Sequence, residues 1–106
     1  MLSRKQIISA ASKIAKELNP EKIILFGSYA YGTPTEDSDL DICVVEKSYK
    51  SKIEEKRKIR EILGKINFSL DILVPDLEEY NFYKNECGSV YRDIEKNGKI
   101  LWQRNT

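Results

Sequence analysis

The spacing of apolar positions changes several times along the chain, and each change predicts an element. After Ser3, Ile7, Ala11, Ile14 and Leu18 recur at helical spacing and mark one face. Ser3 and Gln6 have the form of a capping box, each side chain satisfying a backbone donor of the other. Asn19-Pro20 then stops the helix. Lys22–Phe26 is apolar after its first residue, the pattern of a short strand covered on both faces and central in its sheet. Gly27 ends it, residues 28–32 predict one turn of helix, and residues 33–38 form a polar loop containing Pro34.

Residues 39–45 alternate with a period of two. That predicts a second strand with Asp39, Asp41 and Cys43 on one face and Leu40, Ile42 and Val44 on the other. Residues 50–65 predict a charged helix with a narrow stripe of Ile59, Ile62, Leu63 and Ile66 alongside. A third strand spans 69–74 and is stopped by Pro75, with Asp71 in its middle. Short helices follow, one from position 75 or 76 to about 83 and one over 88–96. Asn97-Gly98 turns the chain into a last strand, 99–103, carrying Trp102. The order α-β-α-β-α-β-α-α-β predicts an α/β fold of the α+β type, a mixed four-stranded sheet with helices mainly on one face.

Composition narrows the chemistry. The chain has 106 residues and predicts a single domain over 1–106. Its apolar runs are far shorter than a membrane span of about 20 residues, and the N-terminus leads into a patterned helix, so the expectation is a cytoplasmic protein without membrane association. A net charge of +1 supplies no field to gather nucleic acid, which argues against direct binding to it. The basic residues between Lys47 and Lys65 are expected to form a solvated helix face. There is no histidine, so triads, imidazole bases and His-ligated zinc are excluded. Cys43 and Cys87 are expected to be reduced core residues.

Carboxylates therefore carry the case. Asp39 and Asp41 share a face with Cα atoms about 6.6 Å apart. Asp71 sits within an otherwise apolar strand, a place where a carboxylate is disfavoured and, unpaired, costly to bury. If the two strands are neighbours, three carboxylates converge, and a hard divalent cation such as Mg²⁺ or Mn²⁺ resolves their repulsion. The alternative is a turn cap, an edge-strand carboxylate and a lysine pair. Upstream, Gly27-Ser28 at a strand-to-helix junction presents free backbone N–H groups and a hydroxyl to an anion, and Gly27 places no side chain in the way.

Gly27-Ser28-Tyr29-Ala30-Tyr31-Gly32 followed by Ser38-Asp39-Leu40-Asp41-Ile42 resembles the signature of the polymerase-beta-like nucleotidyltransferase superfamily. The small size and the tail from Ser69 to Trp102 are similar to its minimal nucleotidyltransferases, usually encoded beside a HEPN-domain toxin as antitoxin. The resemblance implies a nucleotidyltransferase core in which Gly27 and Ser28 hold the β- and γ-phosphates of a nucleoside triphosphate. It further implies that Asp39 and Asp41 bind Mg²⁺, two ions in all, and that Asp71 completes the triad near the attacking hydroxyl. The family commonly carries Arg at position 31; Tyr31 offers no guanidinium there.

The activity implied is Mg²⁺-dependent transfer of AMP from ATP to a hydroxyl, with a tyrosine of the HEPN toxin as acceptor and neutralisation of the toxin as outcome. Two alternatives stay open: an antitoxin that neutralises by binding alone, and a nucleotidyltransferase acting on RNA or a small molecule. Tyr29 or Tyr31 could line the site or pack as helix residues. Tyr80, Phe82, Tyr83 and Trp102 could form a partner patch or core.

Overall fold

A computed structural model of the chain describes residues 1–105. Among them lie five helices and four strands in the expected order: α1 (Arg4–Leu18), β1 (Lys22–Phe26), α2 (Ser28–Tyr31), β2 (Leu40–Val45), α3 (Lys52–Leu63), β3 (Leu70–Leu73), α4 (Leu77–Tyr83), α5 (Val90–Asn97) and β4 (Lys99–Gln103). The Ser3–Gln6 capping box is formed, and Asn19 ends α1 in the left-handed region at φ 45°. Element ends differ from expectation by one or two residues. Asp39 precedes β2, Ser69 precedes β3, and α3 starts after its cap Ser51, whose side chain accepts from the Glu54 amide. No helix of the described residues is long and apolar enough to cross a membrane.

The sheet runs β3-β2-β1-β4, with β1 antiparallel to both neighbours and β2 parallel to β3. β1 is central, as its unbroken apolar run requires. Alternation along β1 and β2 divides the core in two. Ile23, Leu25, Leu40, Ile42 and Val44 pack against Ile7, Ala11 and Ile14 of α1 and Ile59 and Leu63 of α3. Ile24, Phe26, Cys43 and Val45 pack against Tyr80 of α4 and Ile94 of α5. The two long helices thus share one face, while the opposite face is also closed, by two short helices. Both short helices lie where the sequence predicts them, but seven or eight residues carry barely two turns of pattern, too little to tell which face of the sheet they cover.

Tyr80 anchors the second face. Its ring is fully buried, its hydroxyl donates to Glu95 Oε1 at 2.5 Å, and Lys22 Nζ lies 4.7 Å from the ring centre. Of the other aromatic residues, Trp102 is partly buried against the first cluster, whereas Phe82 and Tyr83 are exposed and stack edge-on at 4.8 Å. Cys43 is buried as expected. Cys87 is exposed, contrary to expectation, because it lies in the turn between α4 and α5, where Gly88 takes φ 84° and bends the chain outward. The basic stretch is a solvated face on which Arg57 pairs with Glu54, Lys58 with Glu55, and Lys52 with Glu79.

At the far end of β2 a carboxyl pair is enclosed. Glu46 and Glu55 are 7% and 8% exposed, hydrogen-bonded to each other, and each leaves its Oε2 without a partner. Burial first, then the bond to Glu55 and its charge, hold the Glu46 carboxyl well above the ordinary carboxylate range, with Lys58 opposing weakly. The unfolded chain gives up this proton above about pH 4.5 while the folded chain keeps it, so the pair contributes stability at low pH that is lost as pH rises towards neutrality. Glu46→Gln should therefore match the wild type near pH 5 and exceed it by about 1–3 kcal/mol at pH 7.5. Urea unfolding at both pH values checks this. A stability difference that does not change between them would show that the pair holds no extra proton.

Candidate active site

Three chain segments meet at the end of the sheet where β1 finishes and β2 and β3 begin. Asp41 faces Asp71 directly in the parallel register of β2 and β3, and stands opposite Phe26 in the antiparallel register with β1. Paired residues on adjacent strands project to the same side, so the two carboxylates are neighbours across about 4.8 Å of sheet. Both lie on the face covered by α4 and α5. Asp39, just before β2, adds a third negative charge from an exposed position.

Electrostatics confirms that these groups act on one another. The half-buried Asp41 carboxyl is pushed up to about 6, chiefly by burial, then by Asp71, then by Asp39. Among the described residues, no three His, Cys, Asp or Glu side chains are gathered closely enough to form a ready-made metal cage. An open arrangement of oxygen donors suits Mg²⁺, which takes one or two carboxylates and completes its shell with water and substrate phosphates. A cation would also relieve the charge that burial and the two neighbours impose on Asp41. The residues fit the ion.

Gly27 forms the adjoining wall. It takes φ 71°, and a Cβ at this position would lie 2.0 Å from Asp41 Oδ2, so the turn is packed against the carboxylate as closely as a glycine allows. Its carbonyl accepts the amides of Ala30 and Tyr31, which closes the single turn of α2. The first amides of α2, including that of Ser28, have no partner within the helix and remain for an anion. The structure therefore brings Gly27 and the turn at Ser28 against Asp41, with Asp71 next to it in register on β3 and Asp39 two residues before it in the chain.

The two tyrosines of the turn diverge. Tyr29 accepts a hydrogen bond from the Leu2 amide at 3.1 Å and packs against the first core cluster, a structural role. Tyr31 is half exposed and donates to Asp93 Oδ2 at 2.6 Å, joining α2 to α5. Asp93 escaped the sequence reading; the two residues are 62 positions apart and nothing local to either points to the other. A polar cleft of about 390 Å³, lined in part by Tyr29, Ser38, Asn67 and Ser69, opens beside the starts of β2 and β3.

Comparison with known proteins establishes the family. A family model described as nucleotidyltransferase domain matches residues 8–101. A Methanocaldococcus jannaschii protein named putative protein adenylyltransferase is 39% identical over 77 residues, which cover 73% of this chain and 73% of its own. The crystal structure of a putative nucleotidyltransferase from Sulfolobus solfataricus matches with a TM-score of 0.62 at 22% identity, covering 94% of this chain and 83% of that one. A toxin–antitoxin pair solved with AMP-PNP includes a chain that matches at 0.57 and 24% identity, over 91% of this chain and 73% of that one. The two structural likenesses concern the fold; the family match spans nearly the whole sequence and both halves of the site. The chain belongs to the nucleotidyltransferase domain family and is one of its minimal members.

Proposed function

We propose that this nucleotidyltransferase transfers AMP from ATP to a tyrosine hydroxyl of a HEPN-domain toxin and so acts as its antitoxin. The observation that carries the reading is the packing of Gly27 against Asp41, with Asp41 in register with Asp71. That packing sets a phosphate turn and the paired carboxylates side by side. A relative named for protein adenylyltransfer and a structural neighbour from a toxin–antitoxin pair support the choice of a protein acceptor.

In this reading the backbone at Gly27 and the hydroxyl of Ser28 hold the β- and γ-phosphates, and Asp39, Asp41 and Asp71 hold Mg²⁺, with Mn²⁺ as a substitute. Bound Mg²⁺ supplies positive charge to the phosphates and lowers the pKa of the attacking hydroxyl. Asp71, exposed at the edge of the pair, accepts the hydroxyl proton. The new bond joins the acceptor oxygen to the α-phosphorus, the bond from that phosphorus to the bridging oxygen breaks, and pyrophosphate leaves. No histidine is needed. The site opens at the surface, which suits an acceptor presented by a folded partner.

Labelled ATP, Mg²⁺ and the candidate toxin should yield a labelled toxin, and Asp39→Ala, Asp41→Ala or Asp71→Ala should each lower the rate at least about 100-fold. Toxin labelling that persists in the Asp39/Asp41 double variant would remove the carboxylates from the mechanism. Toxin neutralised equally well without labelling would make the protein a binding antitoxin.

The turn makes a separate prediction. Gly27→Ala should cost about 1–3 kcal/mol for its positive φ. It should also displace the Asp41 carboxylate, lowering transfer at least about tenfold in protein that still folds. Denaturant titration alongside the labelling assay separates the two effects. Full activity in the variant would show that the close approach is dispensable.

A further inference from the structure

Tyr31 and Asp93 form a contact that the chemistry above leaves unused. The Tyr31 hydroxyl donates to Asp93 Oδ2 at 2.6 Å, and Asn97 Nδ2 donates to Asp93 Oδ1 at 2.9 Å. Tyr31 is 49% exposed, and Asp93 is exposed as well. A hydrogen bond in that setting adds little to stability, so bracing α2 against α5 is a weak reason for it. Its place is more telling. The Tyr31 amide is bonded to the Gly27 carbonyl at 3.1 Å, and the phenol is close enough to Asp41 to be influenced by its charge. Tyr31 therefore stands beside the Gly27–Asp41 wall and reaches from it to α5.

Asp93 is a poor neighbour for a triphosphate. Among the described residues it has no ion-pair partner. The hydrogen bond from Tyr31, then that from Asn97, hold its carboxyl below the usual range, so it is ionised at neutral pH. The hydroxyl that faces it is a neutral donor on a rotatable side chain, able to turn from one anion to another.

We propose that Tyr31 is a positioning residue for the nucleotide: its hydroxyl leaves Asp93 to donate to the triphosphate, and Asp93 competes with the nucleotide for it and thereby sets the affinity. This rests on the reading of the site as an ATP site. It gives the two members of one hydrogen bond opposite effects, which a brace between helices does not.

Calorimetric titration of ATP with Mg²⁺ into the wild type, Tyr31→Phe, Asp93→Ala and the double variant tests it, with a thermal midpoint for each protein. Tyr31→Phe should weaken binding about 3- to 10-fold, the worth of one neutral hydrogen bond. Asp93→Ala should tighten binding by a similar factor, and by less when Tyr31 is already Phe. Tyr31→Phe loses one hydrogen bond and Asp93→Ala loses that bond and the one from Asn97, so both midpoints should fall, that of Asp93→Ala further, while their affinities part in opposite directions. Affinities that move in the same direction, or neither moving, would overturn the inference and leave the ATP site standing. A wild-type chain that does not bind ATP would overturn the site reading itself, and this inference with it.

Discussion

The repulsion between Asp41 and Asp71 is the constraint around which the site is arranged. The parallel pairing of β2 and β3 holds the two residues in register, and no side-chain rotation separates charges fixed on adjacent strands by very much. Gly27 removes the remaining freedom by occupying the side towards β1. Moving Asp41 away from Asp71 would drive it into the turn. The carboxylate therefore sits where burial and its neighbours disfavour its charge, and what relieves it is positive charge from outside the chain. A nucleotidyltransfer site needs such a place, because its substrate arrives as a metal-bound polyanion.

The rest of the fold keeps that arrangement rigid. β1 is hydrogen-bonded on both sides and buried on both faces, so Gly27 leaves it at a fixed height and angle. Helices α1 and α3 hold β1, β2 and β3 together from one side. The two short helices on the other side lie beside the catalytic face and shape its mouth, with α5 bringing Asp93 to Tyr31. The same small elements that complete the core thus border the carboxylate face.

The legible part of the molecule was the part encoded by short-range pattern. Alternation over residues 39–45 put Asp39 and Asp41 on one face, and an aspartate inside an apolar run marked Asp71 as a residue with a task. The turn at Gly27-Ser28 was visible for the same reason, since a glycine ending an apolar strand is a local signal. What escaped depends on contacts between distant positions. Asp93 is unremarkable on an exposed helix until Tyr31 reaches it. Glu55 falls in a run that reads as a solvated helix face, and nothing nearby in sequence announces that the start of α3 will bring it against Glu46 at the end of β2. The exposure of Cys87 follows from a turn, which general hydrophobicity does not describe.

β2 carries an acidic pair near each end, and the two pairs meet the same difficulty differently. At Glu46 the partner Glu55 is equally buried, Lys58 reaches Glu55 from the rim and offsets the charge only weakly, and a retained proton removes the repulsion. At Asp41 the partner Asp71 is exposed, and the pair opens to solvent beside a turn suited to phosphate. A proton there would answer the repulsion only in mildly acid solution, since the shift at Asp41 stops near 6. Near neutral pH the Asp41 carboxylate is left ionised without a counter-charge. Degree of enclosure, more than the number of carboxylates, thus separates an acidic pair that only tunes stability from one poised to take up a metal.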